Sequence, residues 1–279
     1  MIVGIVGFRT TEVNAVAREL KRANMRVSIL SPSSIMKNKH HCSFDMLYVM
    51  ADLVDEPHLL NRKHSRAVQM VEFYEQCKSY ANTVWPDVTL NLLICSKAYV
   101  KDLTPFMLPN TTYVEPSTKP FTNTDCTQTL LRIKPGFHSD GRGHQIVTAE
   151  QLRKQGNVMY GSIVQPNVAQ FIEYKFPILN GSLVGYTKHL DALANYKICE
   201  QFAEKVLPAV KRTIFAMCSE PPAWRIDIGY NDASGPFVNE IETVGALYNF
   251  ITTATDEKVT FVPMMAKCVA NHIVTNLTQ

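Results

Sequence analysis

The sequence predicts an α/β fold, with a small open α/β lobe at the N-terminus followed by two lobes that mix helices with strands. Three observations carry that expectation. Residues 2 to 8 form a Val/Ile run, residues 11 to 23 place Val13, Val16, Ala17 and Leu20 at helical spacing, and "RVSIL" at 26 to 30 is again strand-like, which together make a βαβ unit. Beyond residue 85 short strand patterns alternate with helical ones. Near the C-terminus, "WRIDIGY" and "GPFVNEIE" are two apolar runs joined by the turn signal "NDASG", the pattern of a hairpin.

Taken in order, a third strand follows at "MLYVM", and Gly4 and Gly7 read as structural glycines because the full dinucleotide fingerprint is missing. From His64 to about Tyr80 the spacing is helical, and the Pro and Asp of "NTVWPDV" then mark a boundary. A helix is expected near 88 to 103, followed by strands "TTYVE", "TLLRIKP", "HQIVT" and "MYGSIVQ", with a short helix near 149 to 155. Strands "AQFIEYKFPIL" and "SLVGYTK" come next, then a long helix near 192 to 217, the hairpin, and a final helix near 258 to 276. The expected division is 1–84, 85–165 and 166–279.

A chain of 279 residues with 46% apolar content can bury a substantial core. A net charge of +3 is too mild to call for nucleic acid, and the basic stretches "KNKHH" and "NRKHSR" lack interleaved aromatics, so none is predicted. Seven cysteines without a C-x-x-C pair point to reduced thiols, and the opening "MIVGIVGF" is too short to span a bilayer. The expectation is a cytoplasmic, reducing environment and no membrane partner.

The chemistry concentrates in two places. Alternation along the hairpin strands can aim Asp227, Glu240 and Glu242 at one point, with Asn239 and Ile241 behind, which outlines a site for a hard cation such as Mg²⁺; a solvated acidic strand face would leave the same pattern. In "IKPGFHSDGRG", Lys134 precedes a turn carrying Gly136, Ser139, Gly141, Arg142 and Gly143. Glycines let backbone N–H groups approach an anion, and the lysine supplies a point charge to phosphate; a flexible hairpin with an exposed lysine would leave the same pattern.

Lys97 at a helix start, Lys134 before the Gly-rich loop, "IVQPNV" at a strand end, Glu173 and Lys188 on following strands, then RID and NEIE, occur in that order. In that order the chain resembles the ATP-grasp superfamily, in particular the three-lobed carboxylate:amine ligases such as glutathione synthetase, D-alanine:D-alanine ligase and the ribosomal-protein glutamate ligases. The resemblance covers nearly the whole chain, with residues 1–84 like the pre-ATP-grasp lobe, 85–165 the central lobe with its flap, and 166–279 the C-terminal lobe with the metal site. It implies that Lys97 and Lys134 hold ATP phosphates and that the loop from Gly136 to Gly143, with Ser139 and Gly141, closes over them. Gln165, Pro166, Asn167 and Val168 would grip adenine, Glu173 the ribose, and Lys188 the terminal phosphate. Asp227, Glu240 and Glu242 would ligate Mg²⁺ (or Mn²⁺), and Arg225 would steady the substrate carboxylate or its oxyanion. Departures from the family pattern are Glu242 where Asn is common, "TVGAL" without the usual Pro-Gly, and "YK" after Glu173.

The implied reaction is an ATP-dependent ligation of a small-molecule or peptide carboxylate to an amine through an acylphosphate, releasing ADP and phosphate, with Arg225 and Lys188 acting on the reacting groups. The resemblance also admits a homodimer. Two alternatives use the same cleft: a kinase acting on a hydroxyl, with His189 or Asp191 as base, and a binding protein that has kept the fold without turnover. Trp85 and Trp224 are expected at lobe junctions, with Trp224 able to line an acceptor pocket through its neighbour Arg225.

Overall fold

A computed structural model of the chain describes residues 1–7, 10–37, 43–51, 53, 66–115, 130–137, 143–154, 161–168, 170–184, 194–243 and 255–278. Among these residues the strands form three four-stranded sheets. The first is parallel, in the order β2 (Arg26–Leu30), β1 (Ile2–Val6), β3 (Phe44–Val49), β4 (Ala81–Trp85). Its central strands β1 and β3 are near-continuous apolar runs because both faces are covered, whereas the edge strands β2 and β4 carry polar residues. Val3, Ile5, Met46 and Tyr48 pack with α1 (Thr11–Arg22) and α7 (Thr255–Thr278), whereas Val6, Leu47 and Val49 pack with α3 (Arg66–Lys78) on the other side. Gly4 is structural, as expected: a Cβ there would lie 2.3 Å from Leu47 Cδ2.

Two features of this sheet differ from the sequence reading. The first residues of the "NTVWPDV" segment supply β4, a strand the sequence reading did not include, and Trp85 at its end stacks on Tyr48 with ring centroids 5.3 Å apart. The C-terminal helix, expected with the acidic hairpin, returns to the first sheet, where His272 packs on Trp85 at 4.5 Å. Its apolar stripe, including Met265, Val269 and Ile273, closes the face that α1 leaves open.

The second sheet is antiparallel, in the order β10 (Ser182–Leu183), β9 (Ile172–Leu179), β11 (Ala223–Asn231), β12 (Gly235–Glu242). Alternation sorts its side chains. Tyr174, Phe176, Ile178, Trp224, Ile226, Ile228, Val238 and Ile241 enter one core with α6 (Ala194–Thr213) and α4 (Val88–Ser96), leaving the polar positions on the opposite face. Trp224 is therefore fully buried on the apolar face, packed on Phe215 and donating its indole N–H to Glu220, and it lines no pocket beside Arg225. The third sheet is also antiparallel, in the order β5 (Thr112–Val114), β8 (Ser162–Pro166), β6 (Leu131–Pro135), β7 (Gln145–Val147), with a small core closed by α5 (Ala149–Lys154).

The helix expected over 88 to 103 ends at Ser96. Lys97 caps it in the left-handed conformation, φ 60°, and short 3-10 turns follow at Ala98–Lys101 and Thr104–Phe106. Lys97 thus closes α4 and opens a 3-10 turn instead of starting an α-helix. No described helix is long and apolar enough to cross a membrane.

Candidate active site

The polar face of the second sheet builds the site. On β11, Arg225 and Asp227 are two apart and project together; β9 contributes Glu173 and Lys175 to the same face. Register places Asp227 opposite Glu240 and Arg225 opposite Glu242. One residue later the register slips, because Ile228 pairs with Val238, so Asn239 is an extra residue in β12. That bulge overturns the expectation that Asn239 lies behind the acids: the strand takes two steps on one face, and Asn239 joins Glu240 there while Ile241 remains in the core.

Each acid has a cation beside it. Arg225 donates from Nε to Asp227 Oδ1 at 2.6 Å and from Nη2 to Oδ2 at 2.8 Å, and both residues are almost fully buried. Lys175 Nζ lies 4.0 Å from Asp227 and 3.7 Å from Glu173. Burial pushes the Asp227 carboxyl up to about 6, against the downward pull of Arg225. Lys97, reaching in from the end of α4, hydrogen-bonds Glu240. Burial works to lower the Lys97 pKa, but Glu240 and Tyr99 overcome it and hold the ammonium well above its ordinary value. For Glu240 the upward push of burial is outweighed by Lys97, then Lys134 and Arg225, and the carboxyl sits below its ordinary value. For Glu242 burial and the charge of Glu240 outweigh the downward pull of Arg225, which stands opposite it, and raise it well above the carboxylate range. Among the described residues no three His, Cys, Asp or Glu side chains converge as a preformed metal cluster; Asp227, Glu240 and Glu242 share the face, with Arg225 and Lys97 matching charges a metal would otherwise meet.

Across the cleft, β6 aims Lys134 and Arg132 at this face while Leu131 and Ile133 enter the core behind. Lys134 is 5% exposed and donates to Asn239 Oδ1 at 2.6 Å. Burial, with repulsion from Lys97 and Arg132 and partly offset by Glu240, lowers its pKa to about 8. At the end of β8, Gln165 and Pro166 are buried; the Asn167 side chain accepts from Arg132 Nε at 3.3 Å, and its N–H donates to the Leu130 carbonyl. Val168 follows, half-buried.

The described ends of the Gly-rich loop are its root and its exit. Gly136 donates its N–H to the Gly161 carbonyl at 2.7 Å, which commits it to the protein. Phe137, at φ 55°, donates to Cys95 O at 2.5 Å, accepts from Arg66 and buries its ring beside α3. A Cβ on Gly136 would meet the Ser96 and Gly161 carbonyl oxygens at 2.8 and 2.9 Å. Backbone oxygens cannot step aside as a side chain can, so Gly136→Ala is expected to cost about 1–3 kcal/mol of stability in urea unfolding; an unchanged midpoint would contradict this packing. Gly143, φ 72°, and exposed His144 lie at the exit. Ser139, Gly141, Arg142 and Lys188 lie outside the described residues.

The sequence reading missed Asn239 and Lys175 as members of this face. Lys175 was legible, being two residues from Glu173 in a strand. The turn of Asn239 depends on a bulge that no residue type announces.

No family model and no curated protein matches the chain. Solved structures do. The D-alanine–D-alanine ligase from Bacillus anthracis complexed with ATP superposes with a TM-score of 0.62 at 11% identity, covering 100% of this chain and 98% of that one. D-cycloserine synthetase DcsG gives 0.62 at 14% identity over 98% and 100%. A RimK domain protein ATP-grasp from Sphaerobacter thermophilus gives 0.60 at 13% identity over 98% and 100%. Three sheets, a cleft with opposed charged faces, and end-to-end likeness to these structures give one conclusion: the chain has the ATP-grasp fold.

Proposed function

We propose that the protein is an ATP- and Mg²⁺-dependent ligase that joins a carboxylate to an amine through an acylphosphate. The observation that carries this reading is the cation-lined cleft: buried Lys134 and Lys97 face the acids of the hairpin, within a fold shared with a protein named as a synthetase and with one named as a ligase and complexed with ATP. Buried lysines facing a cleft suit phosphate oxygens, and the hairpin supplies only hard oxygen donors, which suit Mg²⁺. Asp227, Glu240 and Glu242 would hold the ion, whose charge offsets that developing on the transferred phosphoryl group.

The chain's own residues would bind and orient. Lys97 and Lys134 would take the phosphates, and the same role is proposed for Ser139, Gly141 and Gly143 of the Gly-rich segment and, toward the terminal phosphate, for Lys188. The segment Gln165–Val168 meets adenine and Glu173 the ribose hydroxyls. Arg225, oriented by Asp227, would steady the substrate carboxylate or the oxyanion. A carboxylate oxygen of the substrate attacks the γ-phosphorus as the bond to the β-phosphate oxygen breaks; the amine nitrogen then attacks the acyl carbon, the acyl–oxygen bond breaks, and inorganic phosphate leaves while the proton lost by the amine passes to the phosphate or to solvent. Small-molecule and peptide carboxylates both suit this chemistry. We also propose the division 1–84, 85–165 and 166–279, with α7 returning to the first lobe, and a reducing, cytoplasmic setting, consistent with the five described cysteines, Cys77, Cys95, Cys199, Cys218 and Cys268, being in no disulfide among the described residues.

The test is ADP release from Mg²⁺-ATP over pooled amino-acid and peptide carboxylates with hydroxylamine present. ADP with a matching amount of hydroxamate, abolished by a chelator, is the expected result. ADP without hydroxamate would replace the ligase with a kinase or an ATPase.

A further inference from the structure

We infer that Asn239 is a positioning residue that presents the Lys134 ammonium to a nucleotide phosphate with its charge unspent, and in the same contact ties Lys134 to Glu173. The inference rests on the nucleotide reading above and adds a residue to it. Three observations converge. The β-bulge turns Asn239 onto the cleft face. Its Oδ1 accepts from Lys134 Nζ at 2.6 Å, across two sheets. Its Nδ2 donates to Glu173 Oε1 at 2.5 Å, reaching over β11 where Gly229 stands opposite Glu173. Only one amide orientation satisfies both neighbours, because an ammonium needs the oxygen and a carboxylate needs the NH₂.

The choice of an amide matters. A buried ammonium must have an acceptor, or its desolvation is unrelieved. A carboxylate would relieve it but would also neutralise it, as Glu240 does for Lys97. An amide oxygen orients the lysine and leaves its positive charge for an incoming anion. The cleft therefore holds one lysine paired to an acid and one held by a neutral group. Glu173 is fixed from the other end of the same amide and flanked by Lys175 at 3.7 Å, so the groups read as meeting phosphate and ribose are set at a fixed separation before any ligand arrives.

The test is titration of the full chain with Mg²⁺-ADP, which needs no knowledge of the acceptor. Wild type, Asn239→Ala, Asn239→Asp, Lys134→Met and Lys134→Met/Asn239→Ala are compared, with thermal midpoints confirming that each is folded. Asn239→Ala is expected to weaken binding about tenfold, the usual effect of losing a hydrogen bond to a charged group. Asn239→Asp, nearly identical in shape, is expected to weaken it at least as much, by pairing with Lys134 and repelling phosphate. In the Lys134→Met background Asn239→Ala should add less than about twofold, because its effect runs through the lysine. Should Asn239→Ala not fold, the isosteric Asn239→Asp carries the comparison. Binding unchanged in both variants, or an equal loss with and without Lys134, would overturn the role of Asn239. No binding by the wild type would overturn the nucleotide reading and this inference with it.

Discussion

Arg225→Leu is expected to lose about 3–5 kcal/mol of stability, the cost of removing one partner from a buried ion pair. Both members are sequestered, Arg225 at 3% and Asp227 at 1% exposure, and two hydrogen bonds of 2.6 and 2.8 Å join them. Leucine fills part of the volume but leaves a carboxylate whose nearest remaining cation, Lys175, is 4.0 Å away. The loss is read from urea unfolding in the presence of a chelator. It should depend on pH in a defined sense. Burial already raises the Asp227 carboxyl to about 6 with Arg225 in place, and removing the arginine raises it further. The folded variant then holds a proton that the unfolded chain has released, so stability falls as pH rises through the folded pKa. The deficit should thus be smaller near pH 5 than near pH 8. An equal deficit at both would mean that Asp227 is not the group left uncompensated.

How far the site could be read from residue types follows from which physical rule fixed each part. Period-two alternation alone placed Asp227, Glu240 and Glu242 on one face, since a strand with one side buried has no freedom of register. The same rule, applied one residue further, put Asn239 on the wrong side, because a bulge is a property of the pair of strands and leaves no mark in either one. The end of α4 was missed for a related reason. Leu90 and Ile94 give helical spacing, and the run Tyr99, Val100, Leu103 continues it, but the chain leaves the helix at Lys97 in a left-handed conformation. Its ammonium then meets Glu240, 143 residues away in sequence. Tertiary charge pairing decided that boundary, and no local propensity competes with it. The same holds for α7: its apolar stripe was visible, but only topology determines that the stripe closes the first sheet.

The pH dependence of nucleotide binding should expose the other buried cation. Lys134 titrates near 8 because burial penalises its charge and Lys97 and Arg132 repel it, with Glu240 only partly compensating. A bound phosphate reverses that balance and raises the pKa, so above about pH 8 binding must take up a proton. The affinity of the wild type for Mg²⁺-ADP is therefore expected to fall towards about tenfold per pH unit between about pH 8 and about 9.5, well below the pH at which an ordinary lysine would titrate. Titration calorimetry in buffers of differing ionisation enthalpy would show the proton uptake directly. Lys134→Met should bind about a hundredfold more weakly, having lost a buried charge on the ligand, and should show no such slope. Lys134→Arg keeps a charge that cannot be lost in this range, so its affinity, whatever its level, should be flat. A wild-type affinity independent of pH over the same interval would mean that Lys134 is not the phosphate ligand, and Lys97, freed from Glu240, would be the cation to test next.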